Sequence, residues 1–129
     1  MRVAVAWILG ITLAINGLAM LGWPGGWYQA VPGVPATGPF NPHFVRDIGC
    51  AYLAAGAALV WVALRPVARP AALIAAAFLG VHALVHLWDA LAGREHAHNL
   101  LVDLPSVFLP PLLAIWIVAP RRASTPRAL

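Results

Sequence analysis

The sequence predicts an all-α protein, a bundle of four transmembrane helices with both the N and C termini cytoplasmic. Three observations lead there: a composition too apolar for a water-facing surface, four membrane-length apolar stretches, and arginines gathered on one side. Of 129 residues, 62% are hydrophobic and 9% charged, whereas a soluble domain carries about 25% charged residues. Eight arginines, no lysine and four acids do not cover a soluble fold of this length. The same composition excludes a collagen, a coiled coil and a disordered tail. One cysteine, Cys50, forms no internal disulfide and no Cys-x-x-Cys motif.

A helix needs about 20 apolar residues to cross roughly 30 Å of hydrocarbon. Four stretches qualify in a single membrane domain spanning residues 1–129. Residues 3–23 carry no charge and only Thr12 and Asn16 as polar groups. Residues 44–64 hold Arg46 and Asp47 in the first turn and are uncharged thereafter. Residues 71–91 are interrupted by His82, His86 and Asp89. Residues 100–119 contain Asp103 and the prolines Pro105, Pro110 and Pro111. In lipid the backbone must satisfy its own polar groups, and no strand-like alternation is present, so these are helices. The adjacent Pro110 and Pro111 leave the carbonyls of Ser106 and Val107 without their normal donors, which predicts a kink.

With four alternating crossings, Arg2, Arg65, Arg69, Arg121, Arg122 and Arg127 fall on one side, and Arg46 and Arg94 on the other. That asymmetry in short loops assigns the first side to the cytoplasm. Trp7, Trp61 and Trp116 mark the inner interface; Trp23, Trp27 and Trp88 mark the outer one. The positive charge therefore reads as anchoring to anionic lipid, and no nucleic acid is expected as a partner. The N-terminus has a second reading, as a secretory signal peptide cleaved after Ala19, which leaves three helices in the same orientation.

The outer connection, residues 24–42, is rich in proline and glycine but contains Trp27, Tyr28 and Val31, so it is expected to lie against the bundle. Asn41 before Pro42 is a helix start, with an Asn cap and a Pro at the first helical position. Ala51, Ala54, Ala55, Gly56, Ala57 and Ala58 permit close approach of the second helix to its neighbours.

The polar residues gather at the outer end. His82, His86 and Asp89 stand at i, i+4 and i+7, on one face of the third helix. His43, Asp47 and Cys50 repeat that spacing on the second helix, and Asn16 and Asp103 lie at a similar depth. Each has an ordinary reading: Asp47 favours its helix N-terminus, Asp103 caps a late-starting helix, Cys50 packs, and His96 and His98 are solvated loop residues. His82 and His86 resist one, because ionisable groups within hydrocarbon are costly and tend to be functional.

Three readings fit such a pocket. His82, His86, Asp89, Asp47, His43 and Asp103 are candidate metal ligands for zinc, copper or iron, since imidazoles at i and i+4 can grip one ion. Haem fits less well, because His82 and His86 project from the same side of one helix and cannot both be axial ligands. The same groups can instead relay protons or hold a small polar ligand, as part of a redox or transport assembly. The third reading is a structural or assembly subunit with no chemistry of its own, packed against a membrane-protein partner or a second copy. No hydrolase elbow or phosphate loop is present, and whether the protein is an enzyme stays open.

The segment Gly38-Pro39-Phe40-Asn41-Pro42-His43-Phe44-Val45-Arg46-Asp47-Ile48-Gly49 at the head of the second helix, together with the four-helix layout, resembles small bacterial inner-membrane proteins of the broad DoxX-like type. The resemblance implies a multi-pass protein of the bacterial inner (cytoplasmic) membrane. It carries over no catalytic residues.

Overall fold

A computed structural model of the chain describes residues 1–93 and 101–120. Among these there are no strands. Helices α1 (Arg2–Gly22), α3 (Pro42–Leu64), α4 (Arg69–Leu91) and α5 (Leu101–Val118) are long, and α2 (Pro24–Ala30) is a short helix between the first two. The four long helices are each long and apolar enough to cross a membrane. Their bounds lie within about two residues of those expected from the apolar runs, because a membrane-length apolar helix leaves little latitude in where it ends.

The long helices run up and down around a ring: α1 packs on α3, α3 on α4, α4 on α5, and α5 back on α1. Two ends result. One holds the start of α1, the end of α3, the start of α4 and the end of α5; it carries Arg2, Arg65 and Arg69, and is called here the arginine end. The acidic end holds His43, Asp47, Asp89 and Asp103.

Small residues make the interior. Ala6, Gly10 and Gly17 of α1, Gly49, Ala55 and Gly56 of α3, Ala72, Ala75 and Ala76 of α4, and Ala114 of α5 are buried. Leu9, Leu13, Met20, Leu59 and Leu79 fill the space between them, while other large aliphatic side chains point outward; Ile8 is 67% exposed and Ile74 73%. Small residues in the interior allow the close backbone approach found between helices of membrane length. The α1–α3 seam is the tightest. Gly10 faces Gly56 and Gly17 faces Gly49, and a Cβ added at Gly17 would stand 2.6 Å from Gly49 O.

Side chains cap several of the helix ends. Asn41 Oδ1 accepts from the N–H groups of His43 and Phe44 at 3.0 and 3.2 Å, as the Asn-Pro signal predicts. At the end of α1, Arg46 Nε donates to Leu21 O at 3.3 Å. At the arginine end, Arg69 Nε donates to Val118 O at 2.7 Å and Arg2 donates to Ala119 O. Guanidinium groups on the last carbonyls of α5 also oppose the negative end of its dipole. The Arg2 guanidinium lies 5.5 Å from the centroid of Trp116, a cation–π contact.

The 24–42 connection folds onto the bundle, as its aromatic content predicts. Pro24 begins α2 directly after α1. Trp27 Nε1 donates to Asn16 Oδ1 at 2.9 Å, so the lone amide of α1 is satisfied by the connection. The Tyr28 hydroxyl bonds to the carbonyls of Pro35 and Gly38, and its ring meets Phe40 with centroids 5.1 Å apart. Between these anchors, Gly33 turns the chain with φ +87°, a conformation that glycine adopts without strain.

Where a kink was expected, α5 has a wide π-helical turn at Leu104–Phe108, directly before Leu109 and the proline pair. Leu109, the last residue with an N–H before Pro110 and Pro111, bonds back five residues to Leu104 O. The prolines remove the next two donors in the ladder, and the wider turn takes up the mismatch.

Candidate functional site

The site lies on the seam of α3, α4 and α5, running inward from the acidic end. Its residues on α4 are Phe78, His82 and His86, at successive steps of four, so they stack along one helix face. The His82 and His86 ring centroids are 4.8 Å apart with planes at 68°. Phe78 lies below His82 at 6.2 Å in a stacked arrangement. From α3, Tyr52 presents its ring edgewise to both His82 and Phe78, at 5.8 and 5.5 Å.

Asp103 of α5 closes the upper end. Its Oδ2 lies 2.8 Å from His86 Nδ1, and the two side chains are 14% and 22% exposed. With an ionised carboxylate and a neutral ring, Nδ1–H donates and the His86 Nε2 lone pair is left available. This is the arrangement by which a carboxylate orients an imidazole for metal binding or proton transfer. Asp103 makes no capping bond from its side chain. Of its two readings in the sequence, cap or pocket residue, the second describes its contacts.

The remaining candidates fall elsewhere. His43 Nε2 and Asp47 Oδ2 form their own pair at 3.5 Å on the first turns of α3, and at 87% and 59% exposure it lies on the surface. Such a pair contributes little to stability. Cys50 is exposed, and Asn16 is held by Trp27, so neither joins the histidines as the shared depth suggested. Asp89 is half-buried on the last turn of α4. Arg94, Glu95, His96 and His98 lie outside the described residues. Among the described residues, no three His, Cys, Asp or Glu side chains gather closely enough to hold a metal ion. Of the six expected ligands, His82, His86 and Asp103 meet along this seam, and His43 and Asp47 pair apart from it.

Tyr52 was missed by sequence reasoning. The signal was present: it is the one tyrosine within a membrane-length helix, and a hydroxyl there calls for a purpose. Its ring is buried while the histidines beside it are only half-buried, so it forms the inner wall of the track.

Comparison with protein-family models, with curated proteins and with solved structures finds no match to this chain.

Proposed function

We propose that this is a multi-pass membrane protein that binds a metal ion or a small polar ligand through His82 and His86, with Asp103 as the orienting carboxylate. The observation that carries this reading is the 2.8 Å contact between His86 Nδ1 and Asp103 Oδ2 across two helices. A histidine that only fills space in an apolar helix needs no such partner, and ionisable groups at this depth are costly. His86 Nε2 and the neighbouring His82 ring supply two imidazoles. Zinc, copper and iron are the metals whose softness suits them, with the rest of the shell coming from the ligand or a partner chain.

The experiment is metal analysis and titration of detergent-purified protein beside His82→Ala/His86→Ala and Asp103→Asn. The expected result is retention of metal by the wild type, loss in the double variant, and an affinity about 10–100-fold weaker in Asp103→Asn, as for other carboxylates behind a ligating histidine. Equal and near-zero metal in all three removes the metal reading and leaves the polar ligand.

A second reading, an assembly subunit in a larger redox or transport complex, is favoured by one feature. His86 and Asp103 satisfy each other, so the pair can act purely as a tie between α4 and α5. It predicts that a His86→Leu/Asp103→Leu variant folds and functions normally.

The arginine asymmetry supports placing the arginine end in the cytoplasm, in a bacterial inner membrane, with the histidine track opening to the opposite side. In a Cys50→Ala background, cysteines placed at Arg65 and His43 are expected to label from opposite faces of the membrane. Labelling of both from the same face contradicts the crossing scheme.

A further inference from the structure

At the arginine end, a cleft of about 450 Å³ opens between α1, the end of α3, the α3–α4 turn and the end of α5. Arg2 and Arg69 stand in its lining, and Val3, Ala6, Val62 and Ile117 form apolar walls. Both guanidinium groups are already held in place, Arg2 on Ala119 O and Arg69 on Val118 O. A guanidinium has five N–H donors, and each of these donates one of them to a carbonyl. The two charges are therefore preorganised, with donors to spare for an anion, and little ordering entropy remains to be lost on binding. The half-charge at the end of α5 offsets only part of them.

The charge of the surroundings is complementary to an anion. Asp47, Asp89 and Asp103 all belong to the opposite end of the bundle, and the fourth acid, Glu95, lies in the connection between α4 and α5. Arg65 closes α3 beside the turn, and Arg121, Arg122 and Arg127 follow α5 in the sequence. The occupant must also cover apolar walls. A phosphodiester carrying an acyl-glycerol body does both, because its phosphate matches two forked donors and its hydrocarbon matches valine and isoleucine. We infer that this cleft binds the headgroup of an anionic phospholipid, with the phosphate between Arg2 and Arg69. The inference rests on the four helices crossing a bilayer, not on the histidine track, and either can fail alone.

The test is native mass spectrometry of the full chain released from nanodiscs of phosphatidylcholine doped with phosphatidylglycerol. The wild type is expected to retain phosphatidylglycerol in preference to phosphatidylcholine. Arg2→Gln/Arg69→Gln should weaken that retention about 30-fold, as expected when each arginine near a headgroup contributes about fivefold. Arg2→Lys/Arg69→Lys, which keeps the charges but loses the forked donors, should fall between the wild type and the Gln variant, and Arg46→Gln at the other end should keep all of it. Equal retention of the two lipids by the wild type overturns the proposal, as does retention by the Gln variant at the wild-type level. Displacement of the lipid by millimolar inorganic phosphate would show that a free anion, not a lipid, is the ligand. If the Gln variant does not fold, the lipid preference of the wild type and of the Lys variant decides the matter.

Discussion

The glycine seam between α1 and α3 allows a prediction in which the sign of the effect is worked out from geometry. A Cβ built on Gly56 would stand 2.6 Å from both Ala14 N and Gly10 O, about 0.8 Å inside the 3.4 Å at which ordinary contact begins. The obstructing atoms are backbone, so no rotamer change relieves the clash and the helices must part. A radial gap of about 0.5–1 Å forfeits a quarter to a half of each dispersion contact. That loss falls on the Gly49–Met20, Gly17–Leu53 and Gly10–Val60 approaches along the same seam. Overpacking of this kind costs about 1–3 kcal/mol, while alanine regains about 1 kcal/mol in helix propensity. Gly56→Ala should therefore lose up to about 2 kcal/mol net. Gly80 of α4 is the internal control: it too is mid-helix, yet nothing lies within 4 Å of the Cβ it lacks. There the propensity gain stands alone, and Gly80→Ala should stabilise by up to about 1 kcal/mol. Reversible unfolding in mixed micelles, followed by tryptophan fluorescence, measures both variants against the wild type. A Gly56→Ala protein as stable as Gly80→Ala would refute the close-packed seam.

Other consequences are more local. A double-mutant cycle between His86→Ala and Asp103→Ala should give a coupling of about 0.5–2 kcal/mol, the range of side-chain hydrogen bonds between membrane helices; additive single effects would mean the pair does not form in the folded protein. Trp27→Phe removes the donor to Asn16 Oδ1, at a cost of about 1 kcal/mol, and should hasten proteolysis within the 24–42 connection while leaving metal retention unchanged. Asn41→Ala deletes the cap on α3 and should cost about 1 kcal/mol, seen as faster amide exchange at His43 and Phe44.

Much of this architecture was legible because four apolar runs of membrane length each form one helix. The ends of α1, α3, α4 and α5 could be read from apolar run lengths, and the start of α3 from Asn41-Pro42. The face shared by His82 and His86 followed from their spacing. What could not be read depends on one helix meeting another. Asn16 was placed by depth alone, and depth does not say which way a side chain points; the partner came from Trp27 in a connection with no periodic signal. His43 and Asp47 repeat the spacing of the α4 pair, yet they lie on a face of α3 turned to the surface. The glycine pairs had a signal that was overlooked. Gly10 and Gly17, like Gly49 and Gly56, are seven residues apart, and two antiparallel helices with equal glycine spacing can bring both pairs into register. Counting small residues on one helix did not reveal the match on the other.

The π-turn ties the backbone irregularity of α5 to the chemistry of α4. Successive α-helical residues are about 100° apart around the axis, and a π-turn inserts one residue without advancing the helix by another step. Everything before Leu104 is thus turned by about 100° relative to an uninterrupted α-helix continuing from Leu109. Asp103 is the residue just before that turn. With α5 anchored beyond the turn by buried Pro110, Pro111 and Ala114, a regular helix would aim the carboxylate away from its present direction by more than a quarter of a circle. Leu104 would then stand where Asp103 now does, and it offers His86 nothing to bond. The proline pair therefore does more than bend α5: by withdrawing two donors it favours the wide turn, and the wide turn brings the carboxylate onto the imidazole. A backbone defect one turn away from the site and a 2.8 Å hydrogen bond within it are two parts of the same arrangement.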